Sequence, residues 1–562
     1  MLLSNLDLLA TAPGGVARLR ELILTLAVQG KLVPQDPQDE PASALLARIA
    51  QEKQRLQAAG KIKKGKPLAA IAEVEKPFGL PAGWEWARLG EITNYGATTK
   101  AGALHPDTWV LDMEDIEKSS GRLLQRVRLK QRPALSDKNC FIAGDVLYGK
   151  LRPYLNKVLV ADEDGICTTE IIPFRCYGDY VPQYFRLVLS SPFFLDYVNA
   201  RSYGMKMPRL GTEDARSSAV PLPPLAEQSR IVARVEALMR LCDALEDKGR
   251  LQAAQHAQLA SALLGTLTAS RTPEELAENW QRVARHFDLL LDRPEAVDVL
   301  EQTLLQLAVR GLLVPQDPRD EPASALLARI RAEKDQLIAE GQIKRDKPLA
   351  AIAAEEMPFE LPAGWEWVRM AVVVNASEAG WSPTCIASPR REGHWGVLKV
   401  SAVSWGEFDA AANKELPSEL TPRPEYEVES GDFLLSRANT AELVARSVVV
   451  RTAEPKLMLS DKIIRLDVSS LMNRDFLNLV NNANHAREHY SVNASGTSSS
   501  MKNVSREVVL ALPVPLPPLL EQSRIVARVT ALRRLCADLR QRLAAGQATQ
   551  ARLAEALVQA TA

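Results

Sequence analysis

His485 and His489 sit four residues apart with Glu488 between them, giving the H-x-x-E-H order that some zinc proteases place on one helix face. The flanks, NNANHAREHYSVNASG, are polar, and the first half of the chain has nothing comparable. That favours an exposed polar helix over a metal site. Gly60-Lys61-Ile62-Lys63-Lys64-Gly65-Lys66 has the spacing of a phosphate-binding loop. Pro67 stands where Ser or Thr would hold a metal, and a helical pattern precedes the segment where a strand is needed. The reading that remains is a solvated basic turn whose lysines, Lys61, Lys63, Lys64 and Lys66, could touch phosphate. No G-x-S-x-G elbow, dinucleotide glycine fingerprint or Asn/Asp-Pro-Pro-Tyr/Phe motif occurs, so no catalytic constellation is expected.

Polar, aromatic and basic residues do gather in two stretches. In GDVLYGKLRPYLNK (144–157) they are Lys150, Arg152, Tyr154, Asn156 and Lys157, joined by Lys206 and Arg209 of SYGMKMPRL (202–210). In GDFLLSRANT (431–440) they are Arg437, Asn439 and Thr440. SDKIIRL (460–466) adds Lys462, and GTSSSMKNVS (496–505) adds Ser500, Lys502 and Asn503. Arg, Lys and Asn suit base edges in a major groove, and Ser and Thr suit phosphates. Surface loops often share this composition, so the residue types alone leave both readings open.

The elements that carry these groups come in two copies. LVPQDPQDEPASALLARI at 32–49 returns at 313–330 with one change, and LPAGWEW at 80–86 returns at 361–367, both offset by 281. PLPPLAEQSRIVARVEAL at 221–238 returns at 515–532, offset by 294. Between these framing segments, 87–219 and 368–513 show little similarity. A duplicated enzyme would repeat its reactive residues. A duplicated reader need repeat only its mounting.

Ile231, Val235, Leu238, Cys242 and Leu245 fall at steps of four and three, the seam of a helix packed on another, and Ile525, Val529, Leu532, Cys536 and Leu539 repeat it. Cys242 and Cys536 are thereby expected as small core residues. Helical patterns also occupy Leu19–Leu26 and the stretch from Pro41 to Gly60, with a copy from Pro322 to Gly341. The inserts hold short β-rich runs (VLYGKL, KVLVAD, IIPFRC, FLLSRA, SVVVRT, KIIRLD), which predicts a compact mixed α/β domain in each. Residues 266–283 have no counterpart at the N-terminus and read as a partly helical connector, after which FDLLLDRPEAV loosely echoes LDLLATAPGGV.

The 562 residues exceed one core, and no run is apolar enough to span a membrane. The N-terminus lacks a basic segment and Asp7 interrupts it, so no signal peptide is read. Six cysteines without a C-x-x-C pair fit reduced thiols in the cytoplasm. Formal net charge is zero. The inserts carry 18 Lys and Arg against 16 Asp and Glu, and 16 against 17. Neither is a basic domain, so any nucleic-acid grip would need partners.

The frame GKLVPQDP-x-x-EPAS-x-LL-x-RI (GLLVPQDP in the second copy), PAGWEW and PLPP-x-x-EQ-x-RIV, occurring twice around variable inserts, resembles the specificity subunit of type I restriction-modification systems. The resemblance covers nearly the whole chain. It implies an α+β fold in which two mixed α/β target-recognition domains are joined by long antiparallel, coiled-coil helices with a pseudo-two-fold internal repeat. The expected layout is a helical segment at 1–83, the first recognition domain at 84–220 and a central long helix at 221–265. A connector and second helical segment at 266–364, the second recognition domain at 365–514 and a C-terminal long helix at 515–562 follow. The resemblance further implies a non-catalytic subunit that reads a bipartite, asymmetric site in double-stranded DNA. It would dock two methyltransferase subunits, which bind S-adenosylmethionine, and motor-nuclease subunits; no cofactor of its own and no membrane are implied. Four residues inserted into the spacer helix would lengthen the unread spacer without changing either half-site. The alternative is a helical scaffold carrying two protein-binding domains. The second copy reads WEWVRMAVVV where the first has WEWARLGEI, so its first strand is expected to differ.

Overall fold

A computed structural model describes residues 6–62, 67–97, 104–132, 138–345, 349–404, 406–496 and 501–560. The chain divides into two compact units, Met1–Ala253 with Gly546–Ala562, and Ala254–Ala545. Two long helices cross the division. Leu225–Ala269 begins in the first unit and ends in the second, and Leu519–Gln559 does the reverse.

Each unit has the same frame. In the first, helices Gly15–Val28 and Ala42–Ala58 bury Ile23, Ala27, Leu45 and Ile49 against Ile231, Val235 and Cys242 of the long helix. In the second, Pro294–Val309 and Ala323–Ala339 repeat these helices, and Ile525, Val529 and Cys536 repeat the seam. Both seam cysteines are buried, and burial pushes their thiols up. The long helix runs on through Ala269, and a separate helix, Pro273–Arg285, follows it. Thr272 accepts from the Glu275 amide at the start of that helix, and Asn279 donates to Thr266 O at 3.2 Å.

The repeated sequence motifs interlock. Glu227, buried, accepts from Trp84 Nε1 at 2.9 Å and Gln35 Nε2 at 3.2 Å, while Arg230 pairs with Asp39 at 2.5 Å. Gln228 accepts from the Val181 amide at 3.1 Å and so ties the frame to the insert. Glu521 repeats the arrangement with Trp365 at 3.0 Å and Gln316 at 3.0 Å, Arg524 pairs with Asp320, and Gln522 accepts from the Asn473 amide at 3.0 Å. The identical stretches are therefore one hydrogen-bonded joint that brings together residues nearly 200 positions apart.

Each insert hangs from a two-stranded ribbon. Glu85–Arg88 pairs antiparallel with Ala219–Leu222, and Glu366–Arg369 pairs with Pro513–Leu516. Within the first insert, Val146–Gly149 lies between Val158–Val160 and Ile171–Phe174, backed by helices Pro182–Ser190 and Pro192–Arg201. A second sheet has the order Val127–Arg128, Trp109–Leu111, Gly165–Thr168, Lys138–Phe141. In the second insert, Phe433–Ser436 lies between Ser447–Val449 and Ile463–Val468, backed by Arg474–Asn482 and Asn484–Asn493. Asn413–Glu415, Gly396–Leu398 and Leu457–Met458 form its second sheet. The two inserts thus share a topology that their sequences do not display.

The first strand of the second copy does not differ as expected: Glu366–Arg369 has the register of Glu85–Arg88, and the inserts diverge only after it. The β-branched run ending in Val374 feeds strand Val374–Ala379, which adds an edge to the second insert's larger sheet. The first insert has only the isolated bridge Thr93 to Cys176 at that place.

Candidate nucleic-acid interface

The central strand of each insert ends at a crossing of three segments. In the first, the Lys150 amide donates to Glu170 O at 2.9 Å, Leu151 bridges Arg209, and the Arg152 amide donates to Pro208 O at 2.7 Å. In the second, the Arg437 amide donates to Lys462 O at 2.7 Å, and Ala438 and Asn439 pair with Asn503 and Lys502. Positions scattered over 60 to 70 residues in sequence are thereby gathered onto one platform per insert. By their place in the crossing, Lys150 corresponds to Arg437, Arg152 to Asn439, Glu170 to Lys462 and Arg209 to Asn503.

The side chains on the first platform have unlike roles. Arg152 holds a left-handed backbone, φ 47°, at the start of the turn Pro153–Leu155, and its Nε is buried without a partner. That conformation is uncommon for a residue with a Cβ and is retained where the surroundings enforce it. Tyr154, 51% exposed, rides on the turn. Asn156, also left-handed at φ 49°, closes it; it is buried and donates to Ser190 O at 3.0 Å. Lys157 turns inward to Met113 O at 2.6 Å, and burial lowers its pKa. Arg209 is held by Glu170 at 3.2 Å, and that hydrogen bond raises its pKa. Lys150 is half-buried, and Lys206 stands exposed on the neighbouring loop. Tyr154 and Lys206 are exposed, Lys150 and Arg152 are half-buried, and Asn156 and Lys157 build the turn.

On the second platform Arg437 is exposed. Asn439 donates to Ser404 Oγ at 2.9 Å and accepts from the Thr440 amide at 2.9 Å, so its amide shapes the loop. Thr440 is exposed. Lys462 sits beside Asp461 at 3.1 Å, and Lys502 reaches Gly496 O at 2.7 Å. Asn503 is half-buried. Ser500 lies outside the described residues, as do Lys63, Lys64 and Lys66; Lys61 is exposed.

Sequence reading missed Glu170, Tyr203, Met205, Met207 and Met501. Glu170 stands next to last in the stretch DGICTTEI (164–171), whose residue types give no sign of its role. The methionines could have been found by carrying the downstream frame offset of 294 back into the insert, which superposes Met207 on Met501.

The H-x-x-E-H helix is corrected by the structure. It is not an exposed polar helix: His485, Ala486 and Tyr490 are buried. His485 packs edge-on to Phe359 and Trp367, with ring centroids 5.9 and 6.2 Å away, and burial pushes its pKa down to about 4. Phe193 takes the same place beside Phe78 and Trp86 in the first unit. His489 Nε2 lies 2.9 Å from Val508 O. Among the described residues no group of three or more His, Cys, Asp or Glu side chains is placed to hold a metal ion. No helix among them is long and apolar enough to cross a membrane.

Fold and site define a class: a duplicated chain whose like frames present two unlike polar platforms on α/β domains. Over 560 residues the chain is 41% identical to the type I restriction enzyme EcoEI specificity subunit of Escherichia coli, covering 97% of this chain and 94% of that protein. It is 36% identical over 569 residues to the EcoAI specificity subunit of the same organism, with the same coverage. A solved chain, described in work on complex assembly and conformational transition of the type I R-M system, shares the fold. Its TM-score is 0.51 at 21% identity, covering 86% of this chain and 99% of that one. No family model matches. The chain belongs to the family of type I restriction enzyme specificity subunits, and its place in such a system is specificity, with catalysis in partner subunits.

Proposed function

We propose that each insert reads one half of a bipartite, asymmetric site in double-stranded DNA. The observation that carries this reading is the pair of platforms: one backbone crossing, built twice, with different side chains at its four corresponding positions. Lys150, Arg152, Glu170 and Arg209 hold the positions in the first crossing that Arg437, Asn439, Lys462 and Asn503 hold in the second. A shared scaffold with substituted donors and acceptors suits two half-sites of unlike sequence.

The frame supports a second part of the reading. One stretch at its surface is identical in both copies, Pro34-Gln35-Asp36-Pro37 and Pro315-Gln316-Asp317-Pro318. Two like docking faces suit two methyltransferase subunits, each bringing S-adenosylmethionine, with motor-nuclease subunits joining that core. The charge-balanced inserts fit a DNA grip shared with those partners. The setting is the cytoplasm, where the DNA and the partners are found and the six free cysteines stay reduced. Methylome sequencing of cells expressing the chain with its methyltransferase tests the whole reading. A methylated two-part motif with unlike halves is expected; unchanged methylation, or a palindromic motif, would overturn it.

A further inference from the structure

Beside each platform the chain is closed by the same kind of bridge, residues 497–500 within the second lying outside the described residues. Tyr203 and Arg209 exchange hydrogen bonds of 3.1 and 2.9 Å, and Ser495 and Asn503 exchange two of 2.9 Å. Each loop opens with a glycine in the left-handed region, Gly204 at φ 102° and Gly496 at φ 120°. In both, a Cβ would press on the backbone carbonyl of the same methionine, at 3.1 Å on Met207 O and 2.4 Å on Met501 O. Apart from this glycine the two loops share little except that methionine, two residues before the side chain that bridges the platform.

Met207 is 50% exposed and Met501 is 55% exposed, and Met205 stands fully in solvent. A lone exposed apolar side chain needs no explanation. Two at one position, on loops whose sequences otherwise diverge, do. Methionine is unbranched and polarizable and fits irregular apolar gaps. The π-faces of stacked bases are the apolar surface common to every DNA sequence, which suits a residue kept while its neighbours change.

We propose that Met207 and Met501 are apolar wedges, each packing between stacked bases at the edge of its own half-site and partly unstacking one step. Arg209 and Asn503, at the base of each loop, set the distance between wedge and reader. This rests on the DNA-reading proposal above.

The test uses the full chain with its methyltransferase and duplexes of the methylated motif. 2-Aminopurine is placed singly at steps flanking each half-site, away from the adenine to be methylated. The wild type is expected to raise fluorescence at one flanking step per half-site. M207A should abolish the rise at the first half-site alone, and M501A at the second. Affinity should fall on the order of tenfold in either variant with an unchanged salt slope, since no phosphate contact is lost. M207L should restore both readouts. Absence of any rise with the wild type, or a rise that survives in M207A, would overturn the wedge while leaving DNA reading intact. A weakening of M207A that depends on one thymine without unstacking would also overturn it. No binding of the motif by the wild-type complex would overturn the DNA reading itself.

Discussion

The indole Nε1 of Trp84 donates to the buried carboxylate of Glu227 at 2.9 Å, and Trp365 gives the same bond to Glu521 at 3.0 Å. The carboxylates are held up from the usual range by burial, and the donors around them offset only part of that. A buried charge keeps its place only if its partners stay, so these joints make the frame intolerant of change. Trp84→Phe should destabilise the first unit by about 1–3 kcal/mol, the cost of an unmet buried acceptor. Limited proteolysis of the whole chain should then cut preferentially within residues 1–253. Equal cutting in both units would contradict the joint's local role.

Gly30 has φ 69°, and a Cβ there would lie 2.4 Å from Pro81 Cγ and 3.0 Å from Trp84 Cζ2; Gly311 meets Pro362 and Trp365 in the same way. Gly30→Ala should cost about 2 kcal/mol or more through strain and displacement of that tryptophan. Chemical denaturation followed by tryptophan fluorescence would show it. A stability within about 0.5 kcal/mol of wild type would mean that the segment can shift freely.

Arg20 pairs with Glu246 at 2.7 Å in the first unit, and at the duplicate positions Glu301 pairs with Arg540 at 3.0 Å. The charges are reversed between copies, so each long helix matches its own frame and opposes the other. Arg20→Glu should therefore weaken the first unit, and Glu246→Arg added to it should recover stability. A double-mutant cycle should give a coupling of about 0.3–1 kcal/mol, fitting a partly exposed pair. Zero coupling would leave the charge reversal without an energetic role.

Glu75 is held down at about 2, first by its hydrogen bond to Arg88, and Glu356 is held at about 2 by Arg369 in the second copy. A depressed carboxylate contributes stability above its unfolded value of about 4.3, and that contribution is lost as pH falls toward 2. Stability measured by denaturant titration should decline over this window. The double variant Glu75→Gln, Glu356→Gln should show a shallower decline. An identical pH profile would refute the assignment.

Glu170 occupies the guanidinium of Arg209 on the first platform, where Lys462 stands on the second. Glu170→Gln should free Arg209 and steepen the salt dependence of DNA binding by about one counterion. Arg152→Ala should change preference at the first half-site only, and Arg437→Ala at the second, by about 1–3 kcal/mol each. Competition binding with half-site variants checks all three. A change at both half-sites from one substitution would indicate damage to folding.

The repeat, the seam cysteines and the strand runs were legible because they are local or periodic. Ile231 to Leu245 announces a helix seam by spacing alone, and VLYGKL and FLLSRA announce buried strands by their apolar runs. The frame motifs were legible as identity, but their purpose was not, since Gln35, Trp84 and Glu227 meet only after the chain has closed around the insert. His485 misled because its sequence neighbours are polar, whereas Phe359 and Trp367, more than a hundred residues upstream, determine its burial.

The sequence by itself determined that one mounting occurs twice and that its two inserts differ, because duplication leaves its record in residue order. Only the tertiary structure decided that the inserts share a topology, and which of their polar side chains are spent inside. Asn156, Lys157 and Asn439 look like readers in one dimension. In three they satisfy Ser190 O, Met113 O and Ser404 Oγ. The physical reason is that a polar side chain's role depends on the nearest unsatisfied donor or acceptor, and that partner is set by folding, not by spacing along the chain.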